Sequence, residues 1–281
     1  MKIRNIILML WDWKIPYIQM LAPFFIMIAA LYWNLMDELF QYIQTTDYFY
    51  VNLILIFSQH FICLKYISIF LIIPLLWFFT VHFIFNKDSV LNHGNIYHDH
   101  SYFSYFVCSK FLGYKKCNLK NTPIPTQFQL IMNDTFKEFI YDEGIHEAPK
   151  NEKMPAVRYE NIDNIACCIN IVLSDTYLIE KKQLPPDVLN LYTIYIERHG
   201  VRSSHVRYAS EKFVKTVLDT VRNFNPCVEE INIFATLNTK NCYNIVKEVF
   251  CTGGRDNIKH IYVYQQNASG ARLFINRVKI F

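Results

Sequence analysis

Small polar side chains stand directly after two apolar segments in the second half of the chain. The two segments are IACCINIVL at residues 165–173 and INIFA at residues 231–235. The polar residues that follow them are Ser174, Asp175 and Thr176 in the first case, and Thr236, Asn238 and Thr239 in the second. Short apolar runs predict strands covered on both faces, and ligands of open α/β sheets bind beyond the carboxyl ends of such strands. Hydroxyl and amide groups there, beside the N–H groups of a starting helix, would suit a phosphate-bearing or nucleotide ligand.

Two of these residues also have an ordinary structural interpretation. Thr239 begins a predicted helix, and helix capping alone would explain it as well as ligand contact does. Asp175 is interpreted as a turn residue rather than a catalytic base, because no second carboxylate or histidine lies at a diagnostic spacing from it.

A histidine-rich cluster lies between the apolar N-terminal third and the rest of the chain. Its members are His93, His98, Asp99 and His100. Imidazole and carboxylate groups bind zinc and other transition metals, but the spacing of this cluster matches no closed metal motif. We therefore interpret these residues as solvated polar groups next to a membrane segment, and we predict no metal and no other cofactor.

The segment ERHGVRSSHVRY at residues 197–208 is the strongest candidate for catalysis. His199 and His205 could act as acid and base, and Arg202 and Arg207 could clamp a phosphate. This composition leaves a nucleotide-processing hydrolase or nuclease open as an alternative. A catalytic site needs named geometric partners, and the sequence supplies none beyond the RHG triplet.

Strands and helices alternate from residue 165 to the end of the chain. The predicted strands are residues 165–173, 192–196, 231–235, 260–264 and 273–278, and the predicted helices are 209–224, with Ser210 as its N-cap, and 240–250. This alternation predicts an α/β architecture with a mainly parallel sheet.

Upstream, the apolar periodicity from Thr126 to Ile140 predicts one helix, and the charged residues 147–163 with two prolines predict a surface loop.

Two apolar stretches without Asp, Glu, Lys or Arg, residues 15–36 and 66–85, occupy the first third of the chain. Each has the roughly 20 residues that a helix needs to cross a bilayer. We therefore predict a transmembrane region at residues 1–87 and a soluble domain at residues 88–281. Trp13, just before the first stretch, is expected at the membrane interface. A cleavable signal peptide is the alternative for the first stretch, but its apolar run exceeds a typical leader.

The distribution of cations predicts the orientation of these spans. Lys2, Arg4 and Lys14 precede the first span and Lys87 follows the second, whereas the connector at residues 37–64 contains no Lys or Arg. The positive-inside rule then places both termini in the cytoplasm. Residues 51–63 are apolar but short, and a third crossing there would place the soluble domain outside.

Composition limits the partners of the soluble domain. The formal net charge is +4 over 281 residues, and no basic run resembles a nucleic-acid-binding tract, so long nucleic acids are not expected as ligands. The 8 cysteines form no close-paired framework, which predicts reduced, mostly buried thiols.

The C-terminal elements carry a family resemblance. The helix ASEKFVKTVLDTVRNF, the strand, turn and helix of EINIFATLNTKNCYNIVKEVF, and the strand NIKHIYVYQQ follow one another in order, and NIACCINIVLSDTY precedes them. Together they resemble the SAVED domain, the sensor of bacterial cyclic-oligonucleotide antiphage signalling (CBASS). Two departures stand out: family members often have a Pro where this chain has Leu237-Asn238, and a Gly where it has Ile245-Val246.

The resemblance implies an α/β SAVED domain of two fused CARF-like Rossmannoid halves behind two transmembrane helices in a bacterial inner membrane. It implies a cyclic oligonucleotide ligand, with a cyclic trinucleotide favoured, made by a partner nucleotidyltransferase of the cyclase type. The ligand-binding residues that it implies are Ser174, Asp175, Thr176, Arg207, Thr236, Asn238, Thr239 and Tyr264.

The function that the resemblance implies is that of a non-enzymatic membrane effector. Ligand binding would drive homo-oligomerisation, and the assembled helices would disrupt membrane lipids and cause abortive infection. Besides the nucleotide-processing enzyme, a membrane-tethered binding module without toxic activity stays open, because no residue pattern separates it from an effector.

Overall fold

The computed structural model describes residues 13–32, 68–141, 144–162, 167–202, 206–252, 257–267 and 270–281. The chain divides into two compact units, the first formed by Met1–His93 and Phe106–Lys116 and the second by Gly94–Tyr105 and Cys117–Phe281. The first unit therefore reaches beyond the predicted boundary at residue 87. The connector at residues 37–64, with its short apolar run at residues 51–63, and the ends of both predicted spans, residues 33–36 and 66–67, lie outside the described residues.

The first unit contains two apolar helical segments. Helix α1 spans Lys14–Tyr32, and the second segment consists of a π-helical turn at Ser68–Ile72, helix α2 at Ile73–Thr80 and a π-helical turn at Val81–Phe85. Pro74 lies in the first turn of α2, where a missing backbone N–H is tolerated. By length and composition, the described residues include one helix able to cross a membrane, Lys14–Leu31, and the apolar helical run Phe70–Phe85 is shorter.

These segments expose apolar side chains on an unusual scale. Phe25 is 67% exposed and Ile84 is 68% exposed, and twelve others on the two segments are more than half exposed: Ile15, Ile18, Leu21, Phe24, Ile28, Phe70, Leu71, Leu75, Leu76, Phe79, Phe83 and Phe85. A contiguous apolar surface is costly in water and favourable in lipid. Trp13 is 1% exposed and its Nε1 donates to Asn92 Oδ1 at 3.0 Å, and its place at a membrane interface stays a prediction.

Short elements follow. They are strand β1 at Val90–Leu91, helix α3 at Tyr102–Lys110, strand β2 at Lys116–Asn118, helix α4 at Ile124–Met132 and strand β3 at Glu138–Ile140. The single helix predicted from Thr126 to Ile140 is wrong in its second half. Asp134 adopts a φ of +43°, which ends the helix, and Ile140 instead lies in β3.

The remaining elements build the main sheet. Their bounds are β4 at His146–Glu147, β5 at Ala156–Glu160, β6 at Cys168–Ser174, β7 at Thr193–Glu197, β8 at Tyr208–Ala209, α5 at Glu211–Arg222, β9 at Glu230–Thr236, α6 at Thr239–Ile245 continued by a π-helical run at Val246–Cys251, β10 at His260–Gln266 and β11 at Phe274–Lys279. Two short 3₁₀ turns lie between β6 and β7, at Lys181–Gln183 and Pro186–Val188.

Six strands form the sheet in the order β11-β10-β9-β6-β7-β5. The four central strands are parallel, and β5 and β11 pair antiparallel at the two edges. The predicted α/β class with a mainly parallel sheet is thus confirmed. Among the described residues, all the long strands lie in this one sheet. The predicted division of the domain into two fused halves therefore stays a prediction. The charged stretch at residues 147–163 is not all loop, since it contains β5.

The core follows from the predicted apolar patterns. In α5, Phe213, Val214, Val217 and Val221 are buried on one face, and the N-cap is Ser210, whose Oγ accepts from Phe213 N at 3.0 Å, as predicted. Of the seven described cysteines, which form no disulfide, three are buried and three are exposed, so the thiols are less buried than predicted.

Candidate ligand-binding site at the carboxyl edge of the sheet

The two predicted groups of polar residues meet at one edge of the sheet. Ser174 ends β6 and pairs in register with Thr236, which ends the neighbouring strand β9. Thr176 N and Thr176 Oγ1 donate to the carbonyl oxygen of Thr236 at 2.8 and 2.9 Å. Thr236 Oγ1 in turn donates to the Tyr177 carbonyl oxygen at 2.7 Å. The sheet register therefore brings together residues that are about 60 positions apart in the chain.

Asp175 is the centre of a buried polar network at this edge. Its Oδ1 accepts from Arg198 Nε at 2.6 Å, and both side chains are 0% exposed. Its Oδ2 accepts from Asn238 N at 2.9 Å, from Asn238 Nδ2 at 2.8 Å and from Asn241 Nδ2 at 3.0 Å. The carboxylate thus ties the ends of β6, β7 and β9 to the start of α6.

The environment of Asp175 acts on its ionisation in two directions. Burial raises the pKa of the carboxyl, whereas the N–H groups of Asn238 and Asn241 and the Arg198 guanidinium act to lower that pKa. Because every polar partner of the carboxyl is a donor, the geometry fits the ionised carboxylate. Burial also raises the pKa of the neighbouring Cys242 thiol above its usual range, and the Asp175 charge adds to this rise.

Three members of this network were not identified from the sequence. Arg198 lies with its guanidinium carbon 3.9 Å from the centre of the Tyr208 ring and donates to the carbonyl oxygens of His199 and Val206. Asn241 and Tyr208 complete the network, because Asn241 Nδ2 donates to the Tyr208 carbonyl oxygen at 3.2 Å. A sequence signal existed for Arg198, since it directly follows the buried strand β7, where a charge needs a partner.

The cap of α6 is Asn238 and not Thr239. Asn238 Oδ1 accepts from Asn241 N at 2.9 Å, and Thr239 is the first residue of the helix. The capping explanation of Thr239 is therefore wrong. Its side chain is half-buried at the rim of the edge.

The eight residues implied by the family resemblance fall into two groups. Six are buried, namely Ser174, Asp175, Thr176, Thr236, Asn238 and Tyr264, while Thr239 is half-buried and Arg207 is exposed. Tyr264 lies in the hydrophobic core, where its ring packs at 4.4 Å from the Phe234 ring.

Five accessible or half-buried residues are next to this network in the chain or in contact with such a residue, and we call this set the rim: Tyr177, Arg207, Thr239, Lys240 and Arg272. The Arg272 guanidinium lies 4.8 Å from the centre of the Tyr177 ring. Asn238 Nδ2 donates to the Tyr208 carbonyl at 3.0 Å, which brings the neighbouring Arg207 to the same edge as Thr239. The rim thus combines cations, a hydroxyl and an aromatic ring, groups that bind phosphate and base.

The residues predicted for a hydrolase or nuclease site make no contact with one another among the described residues. Arg202 donates to both carboxylate oxygens of Glu197, at 2.9 and 3.0 Å, and His199 is exposed. His205 lies outside the described residues. Arg202 is therefore engaged in a surface ion pair in this structure.

The histidine cluster differs from its prediction. His98 and His100 are buried, with ring centres 6.2 Å apart, whereas His93 and Asp99 are exposed. Their interpretation as solvated groups is wrong for the two buried rings. Across the described residues, no group of three or more His, Cys, Asp and Glu side chains could hold a metal ion.

A cavity of about 540 Å³ lies at the opposite, amino end of the parallel strands. Tyr159, Tyr192 and Ile194 from the sheet and Thr216, Asp219 and Thr220 from α5 contribute to its lining. Its size is within the usual range for small-molecule sites. No sequence pattern predicted this cavity, and the cavity allows a test of which end of the strands binds ligand.

The fold and the site define an α/β domain with a polar carboxyl edge, carried in one chain with apolar helices suited to a membrane. The chain belongs to the family described as the SMODS- and ubiquitin system-associated 2TM effector domain, which matches residues 2–281. Membership in this two-transmembrane family makes the protein membrane-associated.

Two solved structures are similar to this chain. Both are Acinetobacter baumannii Cap4 SAVED/CARF-domain containing receptors, one with the cyclic trinucleotide 3'3'3'-cAAA and one with 2'3'3'-cAAA. They are 8% and 10% identical to this chain, and each has a TM-score of 0.44. Each match covers 64% of this chain. The chain spans about two-fifths of those receptors, 42% and 41%. Among curated proteins, none matches this chain.

Proposed function

We propose that this protein is a membrane effector of CBASS antiphage defence that binds a cyclic oligonucleotide at the carboxyl edge of its sheet. Family membership supports the effector role, since the family is described as a SMODS-associated 2TM effector domain. The observation that supports the ligand assignment is the rim, whose cations and aromatic ring adjoin the buried polar network of Asp175. The function is binding and not catalysis.

The ligand class follows from the chemistry of the rim. Arg207, Lys240 and Arg272 supply positive charge for phosphodiester groups, and Arg in particular binds phosphate with several donors at once. The Tyr177 ring offers a surface on which a base can stack. A small cyclic oligonucleotide presents both groups together, and a cyclic trinucleotide is the ligand that we favour.

The six buried residues have a supporting role in this proposal. Asp175 and its donors hold the ends of three strands and the start of α6 in one arrangement, which fixes the backbone from which Thr239 projects. Such preorganisation reduces the free energy lost on ordering a binding site. Of the eight residues that the family resemblance implies, Thr239 and Arg207 are the two that we expect to contact ligand directly.

The membrane step uses the exposed apolar helices. A ligand shifts an equilibrium only by its differential affinity for two states, so the messenger must prefer an assembled form of the protein. We propose a ligand-induced homo-oligomer that concentrates α1 and the Ser68–Phe85 segment in the inner membrane and makes the bilayer leak. Both termini lie in the cytoplasm, where a cyclase-type nucleotidyltransferase would release the messenger.

The test uses the full chain reconstituted in liposomes that contain a self-quenched dye. We expect 3'3'3'-cAAA to release the dye and to shift the protein to a larger species in detergent. A binding response without release or assembly would contradict the effector mechanism. Chromatography of the recovered ligand separates the enzymatic alternative, because a sensor returns it intact and a hydrolase or nuclease consumes it.

A further inference from the structure

The segment Phe106–Lys116 belongs to the first unit although it follows twelve residues that belong to the second. We call Phe106–Lys116 the return segment. Its place beside the apolar helices is set by a small number of close contacts, which involve the second apolar helical segment and α1.

Gly113 makes the closest of these contacts. It has a φ of +79°, and a Cβ built at this position would lie 2.5 Å from the His82 carbonyl oxygen and 2.7 Å from His82 Cα. Both features require glycine, because other residues rarely adopt this conformation and no side chain fits the gap. Beside it, His82 Nδ1 lies within hydrogen-bonding distance of the Phe111 carbonyl oxygen, at 3.2 Å.

A buried amide cluster fixes the same segment to both helices. Asn86 and Gln19 exchange two hydrogen bonds, at 2.9 and 3.0 Å, and Asn86 Nδ2 also donates to the Leu112 carbonyl oxygen at 2.8 Å. Tyr114 OH donates to Gln19 Oε1 at 3.4 Å, and the indole N–H of Trp77 donates to the Gln19 carbonyl oxygen at 2.9 Å. Asn86 is 2% exposed, so water does not compete for the hydrogen bonds that the Asn86 side chain makes.

The path of the chain gives the return segment its significance. The chain passes between the two units after His93, after Tyr105 and after Lys116. The second passage lies inside helix α3, at Tyr102–Lys110, and the third lies inside strand β2, at Lys116–Asn118. Helix α3 and strand β2 therefore each contain residues of both units, so the chain enters and leaves the return segment within regular secondary structure.

We propose that the return segment is the coupling element that transmits ligand binding in the second unit to the apolar helices. Gly113 and Asn86 are its positioning residues, because they hold it against the helix backbone and side chains without contacting ligand. This inference rests on the proposed function, since it assigns the route between the sensor and the membrane step.

The experiment compares Gly113→Ala with Gly270→Ala in the full chain. Gly270 is a matched control, because its φ of +68° imposes similar backbone strain while a Cβ there meets nothing within 4 Å. Thermal shift with 3'3'3'-cAAA reports binding, dye release from liposomes reports the membrane step, and hydrogen exchange of the amides at residues 106–116 reports the segment itself.

We expect Gly113→Ala to keep the ligand-induced thermal shift, to lose protection at residues 106–116, and to lower the rate of dye release by about tenfold, within the range of typical couplings between sites. Gly270→Ala should match the wild type in binding and release. Equal release by Gly113→Ala and the wild type, at equal ligand occupancy, would overturn the proposal.

A milder variant covers the case in which Gly113→Ala fails to fold. Tyr114→Phe removes the bond to Gln19 and keeps the ring, and we expect weaker release with unchanged binding. In the wild type, ligand should change exchange at residues 106–116, and no change there would also overturn the coupling role. Wild-type protein that binds but does not release dye contradicts the membrane mechanism alone, whereas failure to bind removes both proposals.

Discussion

Asp175 and Arg198 form a completely buried ion pair, with 2.6 Å between Oδ1 and Nε, at the point where the parallel strands β6 and β7 end. Just before β9, Glu229 pairs with Lys259 at 2.7 Å, and these two side chains are 48% and 59% exposed. Two pairs of the same chemical type thus differ in burial, and this difference yields the first prediction.

Replacing Asp175 by Asn should destabilise the protein by about 3–5 kcal/mol, because Arg198 would be left as a buried charge without its carboxylate. Chemical unfolding of the full chain in detergent measures this change. Glu229→Gln is the matched control and should leave the unfolding midpoint unaltered, since water screens its exposed pair with Lys259. Equal effects of the two substitutions would show that the buried network does not stabilise the edge.

Ser210→Ala should cost about 1–2 kcal/mol of unfolding free energy, because Ser210 Oγ caps α5 by accepting from Phe213 N at 3.0 Å. The hydroxyl also donates to Glu152 Oε1 at 2.5 Å, so its loss leaves that carboxylate without this donor. Thr216→Ala, in the middle of the same helix, is the control, because its half-buried hydroxyl donates to the Lys212 carbonyl oxygen and caps no helix end. An unchanged midpoint for Ser210→Ala would mean that the cap contributes little in this context.

His100 should make the stability of the second unit sensitive to acid. Burial lowers the pKa of His100 to about 3, and the nearby His98 adds to this effect. The unfolded chain takes up a proton near pH 6.5 while the folded chain does not, so stability falls as the pH drops from about 6.5 towards 3, by up to ~1.4 kcal/mol per pH unit.

Thermal unfolding of the full chain between pH 7.5 and pH 4.5 measures this slope. His100→Asn should flatten the dependence, whereas replacement of the exposed His93 by Asn should not. An identical slope for the wild type and His100→Asn would exclude His100 as the source.

Thr239→Trp should abolish the stabilisation that 3'3'3'-cAAA provides, because the indole would occupy the rim of the carboxyl edge. Thr220→Trp places the same side chain in the cavity at the amino end of the strands and should leave ligand binding intact. Thermal shift decides between the edges, since ligand at 100 times its Kd stabilises a protein by about 2.7 kcal/mol. The opposite pattern would move the ligand site to that cavity.

Much of the fold was predictable from local patterns. Unbroken apolar runs predicted β6 and β9, the apolar face and Ser210 predicted α5 with its cap, and the alternation of elements predicted the parallel sheet. Strand β5 was missed because its charged, proline-flanked sequence is typical of a loop, and it becomes a strand by pairing with β7. The helix predicted to Ile140 failed because periodicity does not show that Asp134 turns the backbone.

The sequence by itself determined which residues are apolar and that Ser174, Asp175, Thr236 and Asn238 stand at strand ends. Only the tertiary structure decided that Asp175 is paired with Arg198 and that the rim, instead of the buried set, is accessible. The physical reason is that periodicity and capping depend on neighbours within a few residues. Burial and charge pairing depend on strand register and on contacts between residues that are tens of positions apart.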